Sequence, residues 1–266
     1  MCLVVFAWQP HSRQPLLLLA NRDEVHGRPS AALAQWADQP AIYAGRDLDA
    51  GGTWLGVAEH GRFATLTNIR DTSLPLGVQS RGALVSNYLA SGQTPKAYLH
   101  EVAADLSHYS GFNLLVGDLN SIWYISSTQP RPIRLTAGIY ALCNGSLDTP
   151  WPKLVRVRSL FAQHLHAPDA RLFELMQDEQ RADDDQLPDT GVGLVMERML
   201  SSIFIRGEVY GTRATSLLRR FADGSTTLVE RSYAANGRFT GQVQVELPAA
   251  VVLDSALQGR STAGTV

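Results

Sequence analysis

The residues best suited to chemistry lie near the start of the chain, where a cysteine directly follows Met1. If an aminopeptidase trims Met1, which a small second residue permits, Cys2 carries a thiol and a free α-amine on one residue. Such an amine has a reference pKa of about 7.7–8.0, so near neutral pH part of it is free to accept a proton. A nucleophile with its own base is the N-terminal form of covalent catalysis. The block Asn21-Arg22-Asp23-Glu24 ends a buried-looking run and supplies the charges such a thiol needs. The chain is expected to present Cys2 facing Arg22 and Asp23 on the next strand. Against this stands a plainer reading. Cys2 would be a small buried hydrophobe in a first strand, and residues 21–24 would begin a solvated loop running into Gly27, Arg28 and Pro29.

The elements that must position these residues follow from pattern. Residues 3–8 and 16–20 are apolar runs split by a Pro-bracketed turn, and they read as a β-hairpin. Neither run alternates with polar residues, so both faces are expected to be covered. Residues 30–50 read as loop with one short strand around Ile42. Residues 51–57 and 62–68 form another hairpin, turning at His60-Gly61 and ending at Asn68, before a polar loop from Arg70 to Ser80. Residues 82–89 and 94–106 have helical spacing, and Thr94-Pro95 is a good N-cap and first-turn pair. A hairpin over 112–126 and a strand over 139–142 precede Cys143-Asn144. Helices are expected over 153–164, 171–177 and 193–201, then closing strands over 213–218, 226–230 and 241–247, with a frayed polar tail from Ser261. The order does not alternate strand and helix, so a doubly wound sheet is disfavoured. Antiparallel hairpins with helices packed on the sheet faces, an α+β chain, fit better. No repeat or linker divides the chain, so one domain over 1–266 is expected.

Composition narrows the functions. The chain is 45% hydrophobic and 18% charged, which is ordinary for a globular protein. Its net charge of −2 gives no pull toward nucleic acid or anionic membrane. Two cysteines, Cys2 and Cys143, make no disulfide framework and fit a reducing compartment. No basic segment precedes the first apolar run, as a secretory signal requires. No run approaches the length of a membrane span. A cytoplasmic protein without stable membrane insertion is expected. The histidines lack metal-ligand spacing, and the acidic run from Asp178 to Asp185 lacks the spaced ligands and turn glycine of a calcium loop. No phosphate loop, dinucleotide loop or Gly-x-Ser-x-Gly elbow occurs. Neither a metal nor an organic cofactor is expected.

Several motifs occur in a fixed order: Met1-Cys2, Asn21-Arg22-Asp23-Glu24, and Asn144-Gly145-Ser146-Leu147-Asp148-Thr149-Pro150-Trp151-Pro152-Lys153. Leu187-Pro188-Asp189-Thr190-Gly191, Ser201-Ser202-Ile203-Phe204-Ile205 and Tyr210-Gly211-Thr212-Arg213 follow. Each is weak alone, but the ordered set is specific and resembles the NRDE family over nearly the whole chain. That family is similar to the cysteine-type N-terminal-nucleophile (Ntn) hydrolases, such as bile salt hydrolases, penicillin V acylase and acid ceramidase. The resemblance implies a four-layer αββα sandwich of two antiparallel sheets, with which the order of elements is compatible. It also implies a hydrolase that cleaves a non-peptide amide or related acyl bond of a small molecule.

Carried across by the resemblance, Cys2 matches the nucleophile, and Arg22 and Asp23 match the pair that flanks the thiol and holds the amine. Asn144 matches the oxyanion donor and Arg213 the late arginine of the site. Asn68, at another strand end, is a candidate second donor, and Asn21 a weaker candidate for the substrate side. Asn144 also reads as a plain turn residue before Gly145, and Arg213 as half of a structural ion pair. One departure stands out. In the cysteine-type hydrolases the arginine and aspartate are separated, whereas here they are adjacent. Neighbours on a strand point to opposite faces, so both meet Cys2 only where the strand has ended or bulges. Otherwise one is structural, and Asn21 or Glu24 takes its place. The resemblance implies a second function as well. Eukaryotic relatives are linked to Golgi organisation, haem movement and lipid or acyl-coenzyme A homeostasis, so a non-catalytic carrier of haem or lipid on the same fold competes with the enzyme.

Overall fold

The structure, a computed structural model, describes residues 2–9 and 11–249. Met1, on whose removal the chemistry above depends, and the tail from Ser261 lie outside the described residues. The chain opens with β1 (Cys2–Trp8), β2 (Leu16–Val25), β3 (Ser30–Gln35), β4 (Ile42–Asp47), β5 (Leu55–Ala58) and β6 (Arg62–Asn68). Two helices follow, α1 (Gly82–Ala90) and α2 (Pro95–Ala104), then β7 (Phe112–Gly117), β8 (Ile122–Ser126), β9 (Gln129–Arg134) and β10 (Gly138–Leu142). A helical block, α3 (Pro152–Ala162), α4 (Asp169–Leu175) and α5 (Leu194–Leu200), leads into β11 (Tyr210–Arg220), β12 (Thr226–Ala234) and β13 (Arg238–Leu247).

The strands form two antiparallel sheets, one ordered β10-β1-β2-β11-β12-β13 and the other β3 to β9 in sequence. Three apolar cores account for the layering. Cys2, Val4, Phe6, Leu16 and Leu18 of the first sheet meet Leu55, Val57, Phe63 and Leu115 of the second. On the outer face of the first sheet, Leu3, Val5, Leu17 and Leu19 pack under Leu154, Val157 and Phe161 of α3 and Leu172 and Phe173 of α4. On the outer face of the second sheet, Ala64, Leu114 and Val116 pack under Val85, Tyr88 and Leu99 of α1 and α2. The architecture is the expected αββα sandwich. Because β1 and the start of β2 are covered on both sides, their sequences show no alternation.

Local chemistry sets the boundaries. His60 and Gly61 both have positive φ, 60° and 65°, a pair of left-handed residues that reverses the chain between the paired Ala58 and Arg62. Thr94 caps α2 through its hydroxyl, which accepts the Ala97 N–H at 3.3 Å. Three differences from the sequence reading bear on the site. β2 does not stop at Ala20 but runs on through Val25, with Asn21 and Arg22 paired to both β1 and β11 and Asp23 to Val25 paired to β11. Two strands, β3 and β4, replace the single short one expected. β9 was not expected at all. Its Pro130 and Pro132 argue against a strand, but β9 lies at the sheet edge, where a missing N–H leaves no ladder bond unmade.

Candidate active site

The site forms where β1 begins. In the register Cys2 lies opposite Arg22, so β2 runs on past the described start of β1, and Asp23 and Glu24 line the space beyond. That space is a cleft of about 370 Å³ lined by Cys2, Arg22, Asp23, Glu24, Trp54 and Asn68, among others. Its remaining walls come from Arg28, Asp47 and Ala50 on one side and from Val78 to Gly82 on the other.

Strand alternation assigns each charge a side. Arg22 shares the inter-sheet face with Cys2, Ala20 and Leu18. Its guanidinium lies 4.3 Å from the centre of the Trp54 ring and 3.5 Å from Asp47. Asp47 is held by Arg28 through two hydrogen bonds, at 2.6 and 3.1 Å, and by the N–H groups of Asp49 and Ala50. Burial alone would raise the Asp47 carboxyl, but these bonds and the two arginines outweigh it and hold it below the usual range. Gly45 is required here, since a Cβ would lie 2.5 Å from the Trp54 ring on which Arg22 rests.

Asp23 points to the helix side, where its carboxylate accepts the Thr212 hydroxyl at 2.7 Å. Burial pushes its pKa up, and Lys153 of α3 pulls the other way. Lys153 itself is buried and donates to the Leu200 carbonyl at 2.8 Å. Arg22 and Asp23 therefore do not share a face, because the register irregularity lies on β11 rather than on β2. Thr212 pairs with Asp23 and Ala214 with Arg22, leaving Arg213 over. The extra residue resets the alternation so that Thr212 meets Asp23 on the helix side while Ala214 joins the inter-sheet core.

The Cys2 thiol is buried, at 7% exposure, and burial pushes its pKa up while Arg22 pulls it down. Burial thus disfavours the thiolate, and attack requires somewhere for the thiol proton to go. Asn68 faces the cleft from the end of β6. Among the described residues its side-chain amide has no hydrogen-bond partner, so its N–H groups are available to a ligand.

Three candidates from the sequence lie elsewhere. Asn144 stands one step behind Asn68. Its side-chain N–H donates to the Asn68 carbonyl at 2.9 Å, and its own carbonyl accepts the Arg70 N–H at 2.8 Å. It brackets residues 68–70 rather than lining the cleft. Arg213, bulged out of register, donates to the carbonyls of Val25 and Arg28 and lines a neighbouring cavity with His26 and Glu230. Asn21 faces the helices, where both its N–H groups are spent on the carbonyls of Met176 and Ile203 and its oxygen accepts the Thr215 hydroxyl. It therefore has no donor left for a substrate.

The chain matches the family model Transport and Golgi organisation 2 (TANGO2) over residues 1–235. It belongs to that family. It is 34% identical to the Transport and Golgi organization protein 2 homolog of Homo sapiens, with 87% of this chain and 93% of the relative covered. The Transport and Golgi organization protein 2 of Drosophila melanogaster is 24% identical at 87% and 92% coverage. Among solved structures, the mutant C2A conjugated bile acid hydrolase from Clostridium perfringens matches with a TM-score of 0.50 at 10% identity, covering 93% of this chain and 92% of that one. At that identity the likeness speaks for the Ntn-hydrolase fold.

Several residues of this TANGO2-family site escaped sequence reasoning. Trp54, Asp47, Arg28 and Arg81 are ordinary in sequence and gain meaning by convergence. The Leu187–Gly191 motif proves to be scaffolding. Thr190 binds Glu197 and accepts from Arg70, and Arg70 forms a buried ion pair with Glu197 at 2.6 Å, fixing the segment that carries Asn68. Among the described residues no helix is long and apolar enough to cross a membrane.

Proposed function

We propose that this protein is an N-terminal-nucleophile hydrolase that cleaves a non-peptide carbon–nitrogen bond of a small acyl compound. The observation that carries the reading is the meeting, in one cleft, of the Cys2 thiol, the Arg22 guanidinium and the uncommitted amide of Asn68. Removal of Met1 is part of the proposal. The freed α-amine of Cys2 takes the thiol proton as sulfur attacks the acyl carbon. Arg22 stabilises negative charge on the sulfur as it develops. Asn68, held in place by Asn144, donates to the tetrahedral oxygen, a contribution worth roughly 3 kcal/mol in comparable sites. Asp23, from the helix side, orients the amine by a charge-assisted hydrogen bond. The amine returns the proton to the leaving nitrogen as the C–N bond breaks, giving a thioester and a free amine product. Water then attacks the thioester, the α-amine takes one of its protons, and the thiol is regenerated as the acid leaves.

Intact-mass spectrometry tests the first requirement, because a protein retaining Met1 has no free amine on Cys2 and the mechanism fails. Turnover of a panel of N-acyl anilides tests the second. It should disappear in Cys2→Ala, and unchanged turnover in that variant would overturn the assignment.

A second reading, a non-catalytic carrier of haem or lipid, draws support from the near-complete burial of Cys2 and its raised pKa. It expects equilibrium binding of haem or an acyl-coenzyme A that survives Cys2→Ala, without hydrolysis. A protein that binds neither is not such a carrier.

A further inference from the structure

The cleft holds a cation that the mechanism leaves unused. Arg22, Arg28 and Arg81 all line it. The first two are committed to Asp47, at 3.5 and 2.6 Å. Arg81, just before α1, donates one N–H to the Gly111 carbonyl at 3.2 Å. Among the described residues it has no carboxylate within ion-pairing distance. Glu24 lines the same cleft, yet one of its carboxylate oxygens accepts its neighbour Val25 N–H at 2.8 Å and it forms no ion pair with Arg81. Glu24 attracts Arg81 only across the cleft, so the partly buried Arg81 guanidinium lacks a carboxylate in direct contact, and a ligand oxyanion supplies one while filling its donor fork. The surroundings add a second preference. Leu76 and Val78, on the loop leading to Arg81, are 90% and 88% exposed, and Val78 also lines the cleft. Apolar side chains this bare beside an uncommitted cation fit a ligand with an anionic end and a hydrocarbon chain.

We propose that Arg81 anchors a compact oxyanion, a carboxylate or phosphate, on the substrate, and that the cleft thereby selects amphiphilic acyl anions whose chain leaves over Val78. This rests on the hydrolase reading for the word substrate. The anchoring is measurable without turnover, so the two stand or fall separately.

The probes are dodecanoate, dodecyl phosphate and neutral dodecanamide below their aggregation limits, with binding followed by calorimetry on the intact protein. Wild type should bind at least one of the anions more tightly than the amide, and added salt should weaken the anion and leave the amide unchanged. Which anion binds better identifies the oxyanion. Arg81→Gln should weaken the preferred anion by ~10-fold, about 1.4 kcal/mol, with little change for dodecanamide, and Arg81→Lys should restore most of the loss. Equal weakening of anion and amide in Arg81→Gln would mark Arg81 as structural and overturn the proposal. So would wild-type binding of the anions that is absent or insensitive to salt, a result that needs no variant. Hydrolysis lost in Cys2→Ala while anion binding persists would leave both readings standing. A protein that never hydrolyses but shows the Arg81 dependence would sink only the enzyme.

Discussion

Cys2 and Cys143 differ less in burial than in what surrounds them. Both are free and buried, and burial pushes both thiols up. Cys143 is fully enclosed, packed with Leu154, Val157 and Phe161 of α3. Lys153 and Arg70 lower its pKa only in part. Cys2 has nearly the same enclosure, but it is the first described residue of its strand, and beyond it the sheet opens onto a cleft with an arginine opposite. Neither sulfur is made reactive by nearby charge alone. What separates them is a strand end, which gives one thiol an approach path and denies it to the other.

The sharpest way to break this contrast is alkylation of the native protein with iodoacetamide. Cys2 should be modified and Cys143 should react only after unfolding. Cys143→Ala should keep both labelling and turnover, whereas Cys2→Ala should abolish both. Labelling that vanishes in Cys143→Ala instead would reverse the assignment. Next in size is the oxyanion donor. Asn68→Ala should lower kcat by roughly 10²-fold with a smaller effect on KM. Asn144→Ala should lower kcat in the same direction and also depress the melting temperature, because it frees residues 68–70. The pH dependence comes third. A raised thiol pKa means that the reactive thiolate is scarce at neutral pH, so the Cys2 alkylation rate should still be climbing above the ordinary thiol range. Removing a nearby cation raises the pKa further, so in Arg22→Met the same curve should move to higher pH. A curve that stays put would show that Arg22 serves Asp47 and Trp54 rather than the thiol. The smallest effect is on stability. Cys143→Ala removes a sulfur from close packing and should cost about 1 kcal/mol in urea unfolding. Cys2→Ala, at the edge of a cleft, should cost less.

Much of this was legible before any coordinates. The unbroken apolar runs of β1 and β2 announced strands covered on both sides, and the His60-Gly61 and Thr94-Pro95 signals placed a turn and a helix start. What stayed hidden follows from pairing over long sequence distances. Asn21 to Val25 look like a loop until β11 arrives to pair them. β9 looks impossible until it proves to be an edge strand.

The sequence by itself determined antiparallel hairpins with helices packed on the sheet faces, the first strand over residues 3–8, and the polar block that follows the second, because hydrophobic pattern and turn chemistry are local. The four layers came from the family resemblance. The sequence also brought Asn68 into consideration as a donor. Only the tertiary structure decided which side chains share a space. The register that sets Cys2 opposite Arg22, and the extra residue at Arg213 that turns Thr212 toward Asp23, depend on contacts between segments far apart in the chain. A shift of one residue in either pairing would send every side chain to the other face, and no local pattern fixes that choice.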